Sequence, residues 1–305
     1  MDALAPLIAS TIVAGTPLML AGLGLLMNER SGVINLGSEG MMLMGAIAAF
    51  ATTIGTGSFA LGFLVGAVVS MLMSGFFAWL TLWLGANQVA TGLALSLFGV
   101  GTSAYLGLPY AGESLLPTQF GIPVLQDIPV LGQALFTHHP VVYATLLLCV
   151  GISLFLGRTR AGLIVRAVGE SPSSAHSLGY DVRRIRLAAV LFGGICCGLA
   201  GAFMSLVYTP LWVEGMVAGR GWIALALVAF ATWRPYRLMV GAYLFGGITI
   251  LTYHMQAMGV PIASQLLSML PYIATIVVLV LISRNASWIR LNMPASLGKT
   301  FNPNN

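Results

Sequence analysis

Residues 158–186 read RTRAGLIVRAVGESPSSAHSLGYDVRRIR, and six of the chain's 13 Lys and Arg residues fall inside them: Arg158, Arg160, Arg166, Arg183, Arg184 and Arg186. The flanking sequence on both sides is apolar and nearly free of charge. A basic loop between hydrophobic spans marks the cytoplasmic side of a membrane protein, because Lys and Arg are retained there during insertion. The rest of the chain fits that reading. Of its 305 residues 58% are hydrophobic and only 7% charged, and its mean hydropathy is +0.94. A soluble domain carries roughly 25% charged residues, so this composition cannot cover a water-facing surface. The net charge of +5 then records topology rather than nucleic-acid binding.

A crossing helix needs about 20 mostly apolar residues. Nine segments qualify or nearly do: 4–27, 39–57, 59–84, 88–107, 140–157, 187–208, 219–233, 236–256 and 264–283. The expected fold is an all-α polytopic membrane protein of about nine transmembrane segments. Placing 158–186 inside also places 28–38, 85–87, 234–237 and 284–305 inside by alternation. Those segments carry Arg30, Arg234, Arg237, Arg284, Arg290 and Lys299, leaving Arg220 as the only basic residue outside. The N-terminus is predicted outside and the C-terminus inside. The external stretch 108–139 carries Glu113 and Asp127 but no Lys or Arg. One transmembrane unit spans 1–290, with a cytoplasmic tail at 291–305. Cys149, Cys196 and Cys197 sit in apolar runs and read as small apolar residues.

Two stretches interrupt the helical pattern, 28–41 (NERSGVINLGSEGM) and 209–222 (TPLWVEGMVAGRGW). After the second, the 12 residues Gly221 to Thr232 span roughly 18 Å, well short of the ~30 Å hydrocarbon core. The seventh element therefore reads as a half-helix, or as a helix broken near Gly215 to Gly221. Both stretches follow a Leu-Ala-Gly triplet, at 20–22 and 199–201, and both contain Glu-Gly-Met, at 39–41 and 214–216. An inverted repeat follows, pairing 4–107 with 187–283 about a connecting span at 140–157. Such repeats place a transport path at their interface. Glu39 and Glu214 either line that path or cap helices near the headgroups. Arg220 is placed to pair with Glu214. Asn35, Trp222 and the polar row Asn87, Gln88 and Thr91 complete the set of candidate pathway residues. Gly62 with Gly66, and Gly194 with Gly198, read as helix-packing positions.

No catalytic constellation appears, since HExxH, GxSxG and acidic calcium loops are all absent. Gly298-Lys299-Thr300 resembles the end of a phosphate-binding loop, but Met293 stands where its upstream glycine belongs. His138 and His139 read as surface residues, not as a metal site. Within the basic loop, Ser171 can cap a helix, Pro172 suits its first position and Gly179 can end it. That defines a short helix of about two turns, placed to meet a soluble partner.

At this point the chain resembles a known family. Arg166-Ala167-Val168-Gly169-Glu170, Ala175 and Leu178-Gly179 are similar to the cytoplasmic motif of permease subunits of bacterial ABC importers. The matching branch handles branched-chain amino acids, simple sugars and nucleosides. Gly32-Val33-Ile34-Asn35-Leu36-Gly37 with Glu39-Gly40, and Gly193 to Gly201, extend the likeness. Asn87-Gln88-Val89 and Thr91-Gly92 resemble the nucleoside and sugar members. The resemblance implies that Glu170, Ser171, Ala175, Leu178 and Gly179 form a coupling segment that docks a separate ATPase subunit. ATP would be used there, and no cofactor would be bound by this chain. It further implies a second permease subunit forming a heterodimer, an extracytoplasmic substrate-binding protein, and residence in the bacterial plasma membrane without nucleic-acid contact. The implied cargo is a small uncharged solute. A nucleoside comes first, with a simple sugar or riboflavin as alternatives. The residues by themselves also fit an ion-driven secondary transporter.

Overall fold

The computed structural model of the chain describes residues 4–116, 120–121, 131–258, scattered positions between 266 and 280, and 292–302. Most of the expected ninth span at 264–283, and all of Arg284, Arg290 and Asp127, lie outside the described residues. All regular structure among the described residues is helical, apart from one isolated bridge between Ser114 and Leu211.

Among the described residues, seven helices are long and apolar enough to cross a membrane: Ala5–Arg30, Ser38–Thr56, Phe59–Trp83, Gln88–Tyr110, Pro140–Arg158, Val182–Tyr208 and Pro235–Ala257. In chain order the helices are α1 (Leu4–Arg30), α2 (Ser38–Thr56), α3 (Phe59–Ala78) and α4 (Gln88–Gly107). There follow the short α5 (Leu131–Leu135), α6 (Pro140–Arg158), α7 (Arg160–Glu170), α8 (Pro172–Ser177) and α9 (Val182–Phe203). The series ends with α10 (Arg220–Phe230) and α11 (Pro235–Ala257). Helices α3 and α9 each run on into one π-helical turn, Trp79–Trp83 and Met204–Tyr208. The expected seventh span is only the 11-residue α10.

The sequence sets most helix starts locally. Ser58, Asn87, Thr159, Ser171 and Asp181 each accept a backbone N–H from the first turn of α3, α4, α7, α8 and α9, which satisfies donors that a helix start leaves unpaired. Helices α2 and α10 differ, because each begins at a glycine, Gly37 or Gly219, with no side-chain cap at that position. These are the two interrupted stretches of the sequence.

Four helices form an antiparallel row. At its centre α1 lies on α9, with Gly24 against Gly193 and Cys196. Helix α11 flanks α1, with Gly246 against Gly15 and Leu238 against Gly22, while α3 flanks α9, with Ser74 against Gly194 and Gly66 against Gly198. Helix α2 packs on α3, α9 and α4, and α10 packs on α1, α11 and α2. The glycines expected to be packing positions are packing positions. The three cysteines are free and buried.

Candidate functional site

Apart from Arg220, the basic residues among the described ones gather at one end of the helix row. Arg30 ends α1 there, and its guanidinium donates to the Trp233 carbonyl through Nε at 3.2 Å and Nη2 at 2.8 Å. The Trp233 indole donates to Glu29 at 2.6 Å. Trp233 has φ +55°, a left-handed backbone that a bulky side chain adopts only when its surroundings enforce it. These bonds supply that enforcement, and they fix the lower end of α10 to the end of α1.

From this end the chain turns inward. Beyond Gly32 residues 33–35 run without helical structure and lead to Ser38, the first residue of α2. Helices α1 and α4 meet the backbone here, beginning with Val33 N–H, which donates to the Asn28 carbonyl at 3.0 Å. Gln88 Oε1 accepts from Ile34 N–H at 2.8 Å, and Ser96 Oγ donates to the Leu36 carbonyl at 2.8 Å. A Cβ on Gly99 would lie 2.5 Å from Gly40 Cα, so only glycine lets these two backbones meet. Irregular backbone inside a membrane is tolerated where protein groups replace water in this way.

Helix α2 therefore starts deep in the protein. Arg186 lies at the level of Ser31, to whose carbonyl it donates, while Gly201 lies against the Met42 carbonyl. The two positions on α9 are about 22 Å apart along the helix. Helix α10 starts at the same depth and runs the opposite way, back to Trp233. The two N-termini meet. Glu39 Oε1 accepts from Gly219 N–H at 2.7 Å, and Oε2 accepts from Gly221 N–H at 2.8 Å. Ser38 Oγ donates to the Gly221 carbonyl at 3.1 Å. A Cβ on Gly221 would lie 2.6 Å from Glu39 Cα and N. The missing cap of α10 is thus supplied by the first turn of α2. A carboxyl group there also suits the positive end of the helix dipole.

Of the other candidates for the path, Arg220 and Trp222 belong to the first turn of α10, where the Trp222 backbone also bonds Glu39 and the Arg220 charge is felt by it; the rest do not converge on this junction. Asn35 is buried and accepts from Gly37 N–H at 2.9 Å. Asn87 caps α4, accepting from Val89 and Ala90 N–H at 3.0 Å each. Gln88 is buried, with its Nε2 unbonded, and Thr91 is half-buried. Glu214 is exposed and does not repeat the role of Glu39. Its expected pairing with Arg220 is not formed. The Arg220 guanidinium donates instead to the Met216 and Val217 carbonyls at 3.3 and 3.2 Å and lies over the Tyr208 ring. Those carbonyls, one turn back, are nearer partners than a side chain that stays in solvent. Trp222 is 45% exposed.

The basic loop forms two helices, where a single one over Glu170–Gly179 was expected. Helix α7 was missed; its signal was Thr159, which accepts from Gly162 N–H at 3.0 Å, followed by Ile164, Val165 and Val168 on one side. Helix α8 starts as expected, with Ser171 Oγ accepting from Ser174 N–H and Pro172 in the first turn, and the chain turns at Gly179 with φ +88°. Ala175 is buried against Val168 and Val182. Leu178 stands out, 77% exposed. Glu170 Oε2 accepts from Ala295 N–H at 3.3 Å.

His138, expected on the surface, is 5% exposed, with its ring Nε2 2.9 Å from the Ala134 carbonyl. His139 caps α6 through Nδ1 and sits among Phe63, Phe120 and Phe203. Burial holds its imidazole below its ordinary pKa. No group of three or more His, Cys, Asp or Glu residues is placed to hold a metal among the described residues.

Comparison with known proteins gives this geometry a context. The family model described as branched-chain amino acid transport system / permease component matches residues 7–282. A Haloferax volcanii permease protein provisionally assigned to a glucose ABC transporter is 40% identical, over 98% of both chains. A nucleoside ABC transporter permease protein of Lactococcus lactis is 32% identical, over 90% of this chain and 91% of its own. A guanosine ABC transporter permease protein of Bacillus subtilis is 30% identical, over 90% of each. No solved structure matches the chain significantly. The relatives are permease proteins of ABC transporters, and this chain is likewise a permease component and not an enzyme. With its seven apolar spans, its interrupted helices and this extent of similarity, the chain belongs to the permease components of the branched-chain amino acid ABC transport family.

Proposed function

We propose that this chain is the membrane subunit of an ATP-driven importer that carries a small uncharged solute, a nucleoside, into the cytoplasm. The observation that carries the reading is the construction of α7 and α8. They stand outside the spans at the basic end, with Ala175 anchored inside and Leu178 presented outward. With exposed Tyr180 two residues on, Leu178 gives this turn apolar surface in water, the kind of patch that marks an interaction site. The basic end is then cytoplasmic, the N-terminus lies outside, and the C-terminus lies inside. Glu170, Ser171, Ala175, Leu178 and Gly179 form the segment that receives the ATPase subunit, where ATP is used. A second permease chain and an external solute-binding protein complete the importer in the bacterial plasma membrane.

The meeting of α2 and α10 supports the inverted repeat. Helices α2 and α10 start at one depth and run in opposite directions, while α11 on α1 answers α3 on α9. The path then runs along this repeat interface, with Glu39 as its structural pivot. Neutral cargo suits an interior where Arg220 is committed to backbone carbonyls. A sugar is a second reading, favoured by the 40% identity to the glucose-assigned relative.

The deciding experiment is uptake by the chain co-expressed with its ATPase, second permease and binding protein, using labelled guanosine and glucose. Uptake of guanosine that disappears with an inactive ATPase supports the reading. Uptake of glucose alone moves the cargo to sugars. Uptake by this chain alone, abolished by an ionophore, would overturn the ATP-driven assignment.

A further inference from the structure

The tail fragment Gly298-Lys299-Thr300, set aside as a failed phosphate loop, has a place in the structure. Arg186 is 0% exposed, yet all its partners are neutral oxygens. Its Nε donates to the Ser31 carbonyl, Nη1 to the Lys299 carbonyl and Nη2 to Ser296 Oγ, each at 3.1 Å. Burying a guanidinium costs several kcal/mol unless its donors are met. Here they are met by two chain segments that are distant in sequence, the α1–α2 corner and the C-terminal tail.

Further bonds tie the same parts together. Ser296 donates to the Gly169 carbonyl through Oγ at 2.6 Å and through N–H at 3.0 Å. Gly298 N–H donates to the Gly32 carbonyl at 3.1 Å. Arg30 Nη1 donates to the Asn292 carbonyl at 3.1 Å. The tail is therefore built into the basic end and holds the junction of α7 and α8 to the corner that feeds α2.

What the latch positions is Phe301. Its ring meets His176 of α8 edge to face at 5.6 Å and packs on Val168, Ala175 and Val182. It forms one wall of a groove of about 520 Å³, whose other walls include Trp83, His176, Tyr180, Arg183 and Arg184. Arg184 is already paired with Asp181 at 3.0 Å. Arg183 has a buried Nε with no hydrogen-bond partner. Aromatic walls and a guanidinium, that of Arg183, with no carboxylate paired to it among the described residues call for an apolar group flanked by a carboxylate.

We propose that residues 292–302 are part of the ATPase-docking surface: latched by Arg186, they set Phe301 opposite α8 and complete a groove for an acidic, apolar-tipped element of the ATPase subunit. The proposal rests on the reading of α8 as the docking helix. It extends that surface from one helix to a composite of α8, the Gly179–Arg184 turn, the end of α3 and the tail.

The test uses the full-length permease in nanodiscs with its ATPase subunit, measuring the affinity between them and the thermal stability of the permease. Phe301→Ala and Arg183→Glu are each expected to weaken association about tenfold, equivalent to about 1.4 kcal/mol; Arg183→Glu should leave permease stability unchanged, whereas Phe301→Ala also gives up its packing on Val168, Ala175 and Val182. Arg186→Gln is expected to weaken association similarly. In the permease without its ATPase it should also speed hydrogen exchange at the Ser296 and Gly298 amides about tenfold. If Arg186→Gln does not fold, Phe301→Ala and Arg183→Glu still decide the matter. Leu178→Asp separates the two layers. Should Leu178→Asp abolish association while Phe301→Ala and Arg183→Glu bind like wild type, the tail is not part of the surface. Should Leu178→Asp also bind like wild type, the docking reading of α8 falls with it. Loss of co-purified phosphatidylglycerol from Arg183→Glu, with ATPase affinity intact, would overturn the proposal and assign the groove to a lipid headgroup.

Discussion

The protein handles broken backbone twice, at the junction of α2 and α10 and at the basic face around α8, and it builds the two in opposite ways. At the junction the exposed ends of two helices are closed against each other. Glu39 takes both free N–H groups, Ser38 takes a carbonyl, and glycines remove every side chain that would hold the backbones apart. At the basic face Leu178 lies in solvent and Arg183 lines a groove with no carboxylate paired to it among the described residues. The difference teaches where each demand comes from. Inside a membrane an unpaired backbone group costs several kcal/mol, so the junction must satisfy itself. At a face that meets a partner, unsatisfied groups are what the partner recognises. Substitutions at the junction should therefore lower stability and transport together. Those at the basic face should lower transport alone.

The largest effect on stability is expected from Glu39→Ala. It strips the cap from α10 and leaves the Gly219 and Gly221 N–H groups buried without acceptors, a loss of about 3–5 kcal/mol. Glu39→Gln keeps one acceptor oxygen and should lose roughly half as much. Thermal unfolding in detergent, paired with solute uptake, checks both. An unfolding temperature for Glu39→Ala within error of wild type would mean that the junction is not a structural pivot.

Next comes Trp233→Phe. It keeps the aromatic bulk but removes the 2.6 Å bond from the indole to buried Glu29, which should cost about 1–3 kcal/mol. The variant tests whether the lower end of α10 is held as firmly as its upper end. If stability is unchanged, the left-handed backbone at Trp233 is maintained by the bonds from Arg30 alone.

The pattern of what was legible in the sequence follows the same division. The spans could be read because apolar runs of about 20 residues are a local signal, and α10 could be read as short by counting. The start of α8 could be read from Ser171 and Pro172, because capping is local too. The partners of the broken segments could not. Nothing near Glu39 in sequence reveals that it caps a helix beginning at residue 220. Its look-alike Glu214 is exposed, so the repeated Glu-Gly-Met marked the right two regions and paired the wrong residues. Ser96 and Gly99 carried a usable signal. With Gly92 they place small side chains on one face of α4, the spacing at which a backbone can approach. Helix α7 was hidden by its arginines, which look like loop. The role of Arg186 depends on three segments meeting, and no pattern along the chain encodes that.

A smaller effect is expected at the far end of the helix row, where His139 tests whether the satisfied interior extends there. Its imidazole must stay neutral to accept from Val141 N–H and to sit among three phenyl rings. Because burial lowers its folded-state pKa, the unfolded chain binds the proton more readily. The contribution to stability is present above roughly pH 6.5 and is lost as pH falls below it. His139→Asn retains a capping side chain without that titration, so its unfolding temperature should fall less than wild type between pH 7 and pH 5.5. Equal slopes would show that His139 is not part of the satisfied interior.

The smallest change in stability is expected where the functional loss is largest. Leu178→Asp replaces a side chain that is 77% exposed and removes no buried contact. Surface substitutions of this kind usually stay within ±0.5 kcal/mol, and a carboxylate in water costs nothing to solvate. On the docking reading, however, the same change puts a charge where the ATPase subunit would bury a leucine, and association and uptake should both be lost. Stability without function at Leu178, set against joint loss at Glu39, is the outcome that keeps the two regions distinct. If Leu178→Asp instead unfolds the permease, α8 is part of the core of the basic end and its leucine is not free for a partner. If it leaves both stability and uptake intact, the basic face carries no docking helix, and the arginines of residues 158–186 serve orientation alone.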